Sequence, residues 1–142
     1  MACTVIGVAG IATPASAGGA QYYQVVSALT GTCLAADTEL PSLRDCAGDG
    51  LEWRISPAPA DGGWTISVGT WCLTSAPVPS VGPCDGGAGQ AWGFQPTYTG
   101  YRITAWELEL AVIDGVEPAV VSLDATEEPA NRWYLVPAFS VA

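Results

Sequence analysis

One frame recurs three times along this chain, and it restricts the fold more than any other feature. The first copy runs Tyr23-Gln24-Val25, Thr32-Cys33-Leu34, Cys46 and Leu51-Glu52-Trp53. The second runs Trp64-Thr65-Ile66, Trp71-Cys72-Leu73, Cys84 and Gln90-Ala91-Trp92. The third runs Tyr101-Arg102-Ile103, Leu108-Glu109-Leu110, Ala125 and Asn131-Arg132-Trp133. The closing tryptophans are 39 and 41 residues apart. The opening aromatic stands eight residues before Cys72 and before Glu109, and ten before Cys33. A unit of about forty residues cannot bury a core alone, so three such units must share one. The third copy keeps the frame but has neither cysteine.

Within each copy the pattern is that of short strands. Trp64-Thr65-Ile66-Ser67 and Tyr101-Arg102-Ile103-Thr104 alternate apolar and polar side chains, the period of a half-buried strand. Turn signals separate the strands: Asp61-Gly62-Gly63, Pro77 to Pro83, Asp85-Gly86-Gly87 and Thr99-Gly100. The second copy predicts strands near 63–67, 71–75, 79–82 and 91–95. No long helical period is present; Thr126 to Pro129 is at most one helical turn. The expectation is an all-β domain of three four-stranded repeats, about 21–60, 61–97 and 98–138, closing around a common apolar centre. A β-sandwich is the rival all-β arrangement, and it gives no reason for threefold spacing.

Cys33 precedes Cys46 by thirteen residues, and Cys72 precedes Cys84 by twelve. The near-equal gaps favour disulfides Cys33–Cys46 and Cys72–Cys84 over crossed pairings. Zinc is disfavoured, because there is no CxxC pair and no His. Disulfides call for an oxidising compartment, and the N-terminus agrees. Residues 2–17 are small, apolar and uncharged and end in Ala15-Ser16-Ala17, a signal-peptidase pattern. The expectation is a signal peptide over 1–17 that lacks the usual basic opening, then a domain over 18–142 and a secreted product. An apolar first strand is the alternative for this segment.

Charge removes whole classes of function. Fourteen acids against four bases give a net charge of -10, and the bases are Arg44, Arg54, Arg102 and Arg132. Such a surface repels nucleic acid and anionic lipid. Without His or Lys the usual general base, Schiff base and phosphate-binding lysine are missing. Glu107 and Glu109 share a strand face, and Glu127 and Glu128 flank a turn. Paired acids can hydrolyse glycosides, but on a strand they more often form a solvated edge. The chain therefore reads as a non-enzyme without a cofactor or metal.

Cys33-Leu34, Cys72-Leu73, the second cysteine of each pair and Gln90-Ala91-Trp92 resemble the ricin B-type β-trefoil lectin family, with Leu51-Glu52-Trp53 and Asn131-Arg132-Trp133 as degenerate triplets. The resemblance covers roughly 21–138. It implies a twelve-strand β-trefoil with pseudo-threefold symmetry and one shallow sugar pocket per repeat. Such pockets use a carboxylate, an amide and an aromatic face. The matching positions here are Ala35, Thr74 and Ala111 for the carboxylate, and Gly50, Gly89 and Ala130 for the amide. Arg44, Gly82 and Leu123 stand where the aromatic belongs. The scaffold is kept, and the sugar ligands are eroded at all three places. Trp53, Trp92 and Trp133 are then core residues, and Gln90 ties strands through its amide.

The remaining candidates for carbohydrate contact are Asp37, Asp85, Gln90, Trp71 and Trp106. Asp37 follows Cys33 by four residues and could replace the carboxylate missing at Ala35. Asp85 borders the second pocket; Asp45 and Asp124 stand in comparable places beside Cys46 and Ala125. Each reads first as an exposed turn carboxylate, and none has the spacing of a calcium loop. Trp71 and Trp106 lie outside the closing triplets, as stacking platforms for a sugar or as packing at the barrel mouth. Three functions follow: a secreted module that binds a glycan or polysaccharide; a secreted trefoil that binds an extracellular protein through its loops, as a protease inhibitor does; or a structural surface protein. Pro57, Pro59, Pro77 and Pro79 suit the rigid loops of the second.

Overall fold

Alternation, together with the turn residues, yields twelve short strands. The computed structural model describes residues 21–48, 51–59, 62–75, 78–98, 100–105, 108–113, 120–124 and 130–138. Repeat one supplies β1 (Gln21–Ser27), β2 (Cys33–Ala35), β3 (Ser42–Arg44) and β4 (Glu52–Pro57). Repeat two supplies β5 (Trp64–Val68), β6 (Trp71–Thr74), β7 (Ser80–Pro83) and β8 (Gly93–Pro96). Repeat three supplies β9 (Tyr101–Ala105), β10 (Leu108–Ile113), β11 (Val120–Asp124) and β12 (Trp133–Pro137). The strands of repeat two fall within two residues of their sequence-based bounds. Ala88–Gln90 forms a short 3-10 helix before β8. The proposed signal segment, Trp106, Glu107 and Thr126 to Pro129 lie outside the described residues.

The pairing has threefold order. In each repeat the opening aromatic lies across from the closing tryptophan: Tyr23 from Trp53, Trp64 from Trp92, and Tyr101 from Trp133. Between repeats, β4 pairs β5, β8 pairs β9, and β12 pairs β1, all antiparallel. These contacts carry six strands round a barrel. The other six form the hairpins β2–β3, β6–β7 and β10–β11. The result is a β-trefoil.

The same frame positions fill the core. Val25, Ile66 and Ile103 come two residues after the opening aromatics, and all three are fully buried. Leu34, Leu73 and Leu110 join them with the three closing tryptophans, none more than 1% exposed. Each indole must still satisfy its N–H in this apolar setting. Trp53 Nε1 donates to the Leu34 carbonyl at 2.9 Å, Trp92 Nε1 to Leu73 at 2.9 Å, and Trp133 Nε1 to Leu110 at 2.8 Å. One bond, repeated three times, fastens each hairpin to its closing strand. A second storey holds Tyr23, Ile55, Trp64, Phe94, Tyr101 and Leu135. There the Phe94 and Tyr101 rings meet edge to face at 6.1 Å.

Two glycines are required by close approach at the barrel closure. A Cβ on Gly63 would stand 2.8 Å from the Trp92 carbonyl oxygen, and one on Gly100 would stand 2.6 Å from that of Trp133. Both precede the opening aromatic of their repeat, so a side chain there would push the two ends of the repeat apart.

Both disulfides follow the pairing expected from spacing. Cys33 is bonded to Cys46, and Cys72 to Cys84. All four repeat cysteines are thereby oxidised, which leaves none of them as a thiolate ligand for zinc.

Candidate functional site

The positions implied by the family resemblance are taken up by the scaffold. Ala35 and Ala111 are fully buried. Thr74 Oγ1 donates to the Cys72 carbonyl at 3.2 Å and accepts from Gln90 Nε2 at 3.1 Å. The Gly89 carbonyl accepts the Ser75 N–H at 2.8 Å, and the Ala130 carbonyl accepts the Val112 N–H at 3.0 Å. A Cβ on Gly82 would meet nothing within 4 Å, so the place of the expected aromatic is open. Gly50 lies outside the described residues.

A different constellation forms where the first repeat meets the second. The turn of hairpin β2–β3 carries Asp37, Thr38 and Glu39 in succession. Three contacts fix its shape. Asp37 Oδ1 accepts from Arg44 Nη1 at 3.0 Å, across the hairpin. The Thr38 hydroxyl donates to the Leu40 carbonyl at 3.2 Å, closing a local turn. The Glu39 carbonyl accepts the Val81 N–H at 2.7 Å and docks the turn on β7 of the next repeat. Trp71 opens β6 and is 51% exposed, although it is the residue before buried Cys72. Ala36, Asp37, Thr38, Glu39, Trp71 and Val81 together line a cleft of about 320 Å³. An apolar ring thus shares a concavity with two acidic residues and a hydroxyl, the side chains from which a saccharide site is made.

The other sequence candidates take different places. Gln90 is 4% exposed. Its Nε2 also donates to the Pro83 carbonyl at 2.9 Å, and its Oε1 accepts the Asp85 N–H at 2.8 Å. Both N–H groups and the carbonyl of that amide are therefore engaged. Asp85 Oδ1 accepts the Gly87 N–H at 2.7 Å in an Asx turn. The structure brings Asp37 and Trp71 together and joins Asp85 to Gln90 at a separate turn. Glu109 is not an edge charge: β10 pairs with β9 and with β11 at that residue. Its carboxylate accepts a short hydrogen bond from Asn131 Nδ2.

Sequence reasoning missed Glu39 and Thr38. Their signal was weak, since they are turn residues whose importance comes from a neighbour in another repeat. Among the described residues, no three of His, Cys, Asp and Glu gather to hold a metal ion. No described helix is long and apolar enough to cross a membrane. Two phenols of the second storey are perturbed. Burial raises the pKa of Tyr23, with a further rise from Tyr101 beside it, and burial raises that of Tyr101.

No protein-family model matches the chain, and no curated protein matches it in sequence. Solved structures do share its fold. A designed threefold-symmetric protein, ThreeFoil, superposes with a TM-score of 0.67 at 19% identity, over 81% of this chain and 97% of that one. The GlcNAcα1-4Gal-releasing endo-β-galactosidase from Clostridium perfringens gives 0.69 at 14% identity, over 84% of this chain and 33% of that one. SeviL, bound to the asialo-GM1 saccharide, gives 0.70 at 11% identity, over 85% of this chain and the whole of that one. At such identities the likeness establishes the β-trefoil fold alone.

Proposed function

We propose that this chain is an extracellular carbohydrate-binding module, and that it holds its saccharide in the cleft between Trp71 and the Asp37–Glu39 turn rather than at the three pockets of the ricin B-type pattern. The observation that carries this reading is the half-exposed Trp71 ring sharing a cleft with Asp37, Thr38 and Glu39. A pyranose presents an apolar C–H face and a rim of hydroxyls. The indole takes the face, and carboxylate oxygens accept from the hydroxyls. The site draws on two repeats, so it exists only in the folded trefoil. SeviL, a structure of this fold with a bound saccharide, supports the class of ligand. Two disulfides and the small-residue N-terminal segment support export.

The test is a glycan and polysaccharide screen on oxidised protein, repeated with Trp71→Ala and Asp37→Asn. Loss of the platform is expected to weaken binding about tenfold or more, on the order of 1.5 kcal/mol. Binding that ignores both substitutions would remove the cleft from the reading. Absence of sugar binding, with a saturable protein partner instead, would transfer the exposed Trp71 to protein recognition.

A further inference from the structure

We infer that the outer barrel wall between repeats one and two carries a second subsite, centred on Arg54, that takes the anionic group of an acidic saccharide. Of the four arginines, Arg44 is paired with Asp37, Arg102 Nε lies 3.9 Å from Glu109 Oε1, and Arg132 is only 6% exposed. Arg54 is exposed on β4 and has no carboxylate within ion-pair distance among the described residues. In a chain of net charge -10, a cation without an acid beside it among the described residues stands out.

Its surroundings are built for an oxyanion. The strand register sets Arg54 across from Ser67, and Ser56 across from Thr65. The period of two puts all four on one face. Thr70 adds a further hydroxyl, and these five residues line a cleft of about 510 Å³ beside the Cys72–Cys84 disulfide. None of the four hydroxyls has a side-chain partner among the described residues. Guanidinium is the side chain best matched to a planar carboxylate or a sulfate ester, which it meets with two parallel N–H donors. Hydroxyls beside it can hold the ring oxygens.

Pseudo-symmetry supplies an internal control. On the wall between repeats two and three, Gly93 lies across from Thr104, and Gln95 across from Arg102. The cleft there, about 470 Å³, includes Glu109 and has no unpaired cation. On the wall between repeats three and one, Tyr134 lies across from Val26, and Val136 across from Gln24. Among the described residues, the first wall carries a cation with hydroxyls, the second an arginine already beside a carboxylate, and the third two exposed apolar side chains with Gln24. Of the three, the first presents a cation that no described carboxylate offsets.

The subsite shares no lining residue with the Trp71 cleft, and the saccharide nature of its ligand rests on the carbohydrate-binding reading above. The test titrates oxidised full chain with D-glucuronate, D-glucose 6-sulfate, D-glucose and inorganic sulfate, following backbone amides by NMR. Saturable shifts at Ser67 and Thr70 with glucuronate or the sulfated sugar are expected, and the tighter of the two identifies the anion. Affinity should fall at least tenfold in Arg54→Ala and fall less in Arg54→Lys. Circular dichroism of each variant confirms the fold at this exposed position. Equal binding of glucose, indifference to Arg54→Ala, or inorganic sulfate binding as tightly as either sugar acid would each overturn the inference.

Discussion

In repeat two, hairpin β6–β7 is closed by the Cys72–Cys84 disulfide and tied to the segment before β8 by the three hydrogen bonds of Gln90. In repeat three the same places hold other chemistry. Glu109 stands in the frame position of the first cysteine, Asn131 in that of Gln90, and the two side chains are hydrogen-bonded with Arg102 nearby. Repeat one is a third version, in which buried Leu51 packs beside Cys33 and partly buried Cys46. The indole-to-leucine carbonyl bond is common to all three. The difference separates what the fold requires from what it tolerates. The tryptophan and its acceptor are the frame, and the fastening of the hairpin can be covalent, amide-based, ionic or apolar.

The largest effects should come from the frame. Trp92→Ala and Trp133→Ala each remove a fully buried indole and strand a leucine carbonyl, for about 3–5 kcal/mol apiece. Urea unfolding of the two variants should give similar losses, because the bond they lose is the same. A loss at Trp133 of less than half that at Trp92 would break the equivalence of the repeats. Next comes the covalent fastening. Cys72→Ser with Cys84→Ser opens a loop of about a dozen residues, and chain entropy puts the cost near 3 kcal/mol. Thermal unfolding with Cys33–Cys46 left intact measures it. A negligible change would mean that Gln90 alone holds the hairpin.

This hierarchy also explains what the sequence disclosed. The spacing of Trp53, Trp92 and Trp133 and of their opening aromatics was legible because a buried indole needs one fixed partner, which constrains position along the chain. Disulfide pairing was legible for the same reason, since equal loops sit on equal hairpins. The candidate clefts were only half legible. Asp37 and Trp71 could each be singled out by type, but they belong to different repeats and meet through the Glu39–Val81 bond, which no local pattern encodes. Arg54 gave no signal at all, because its distinction is that no described carboxylate pairs with it, a property of the folded wall. Glu109 read as an edge charge until the pairing of β10 on both sides became visible. Trp106 lies outside the described residues.

A smaller effect sharpens the ionic fastening. Glu109 and Arg102 are both partly exposed, with side-chain accessibilities of 21% and 34%, so solvent weakens their attraction. The Asn131–Glu109 hydrogen bond is the direct contact between the two frame positions. Glu109→Gln should cost about 1–2 kcal/mol, the difference between a charged and a neutral acceptor. A double-mutant cycle of Glu109→Ala with Asn131→Ala should return a coupling near 1 kcal/mol. Additivity would mean that the two side chains fasten the hairpin independently.

The smallest effect concerns the opening aromatics, where repeat two differs from its neighbours again. Tyr23 and Tyr101 carry phenols whose pKa is raised by burial, whereas Trp64 does not titrate. A raised folded-state value means that the native chain holds these protons more tightly than the unfolded chain. The corresponding stability is complete below the ordinary phenol value of about 10 and is lost as pH rises through the folded-state values. Tyr101→Phe removes one of these losses and also the charge that pushes Tyr23 further up. Phenolate absorbance should therefore show Tyr23 ionising at lower pH in Tyr101→Phe than in the parent, yet still above the ordinary value, because its burial persists. The alkaline fall in stability should become shallower at the same time. If Tyr23 titrates identically in both proteins, the two phenols do not sense each other, and the second storey of the barrel is wetter between repeats one and three than their shared cluster implies.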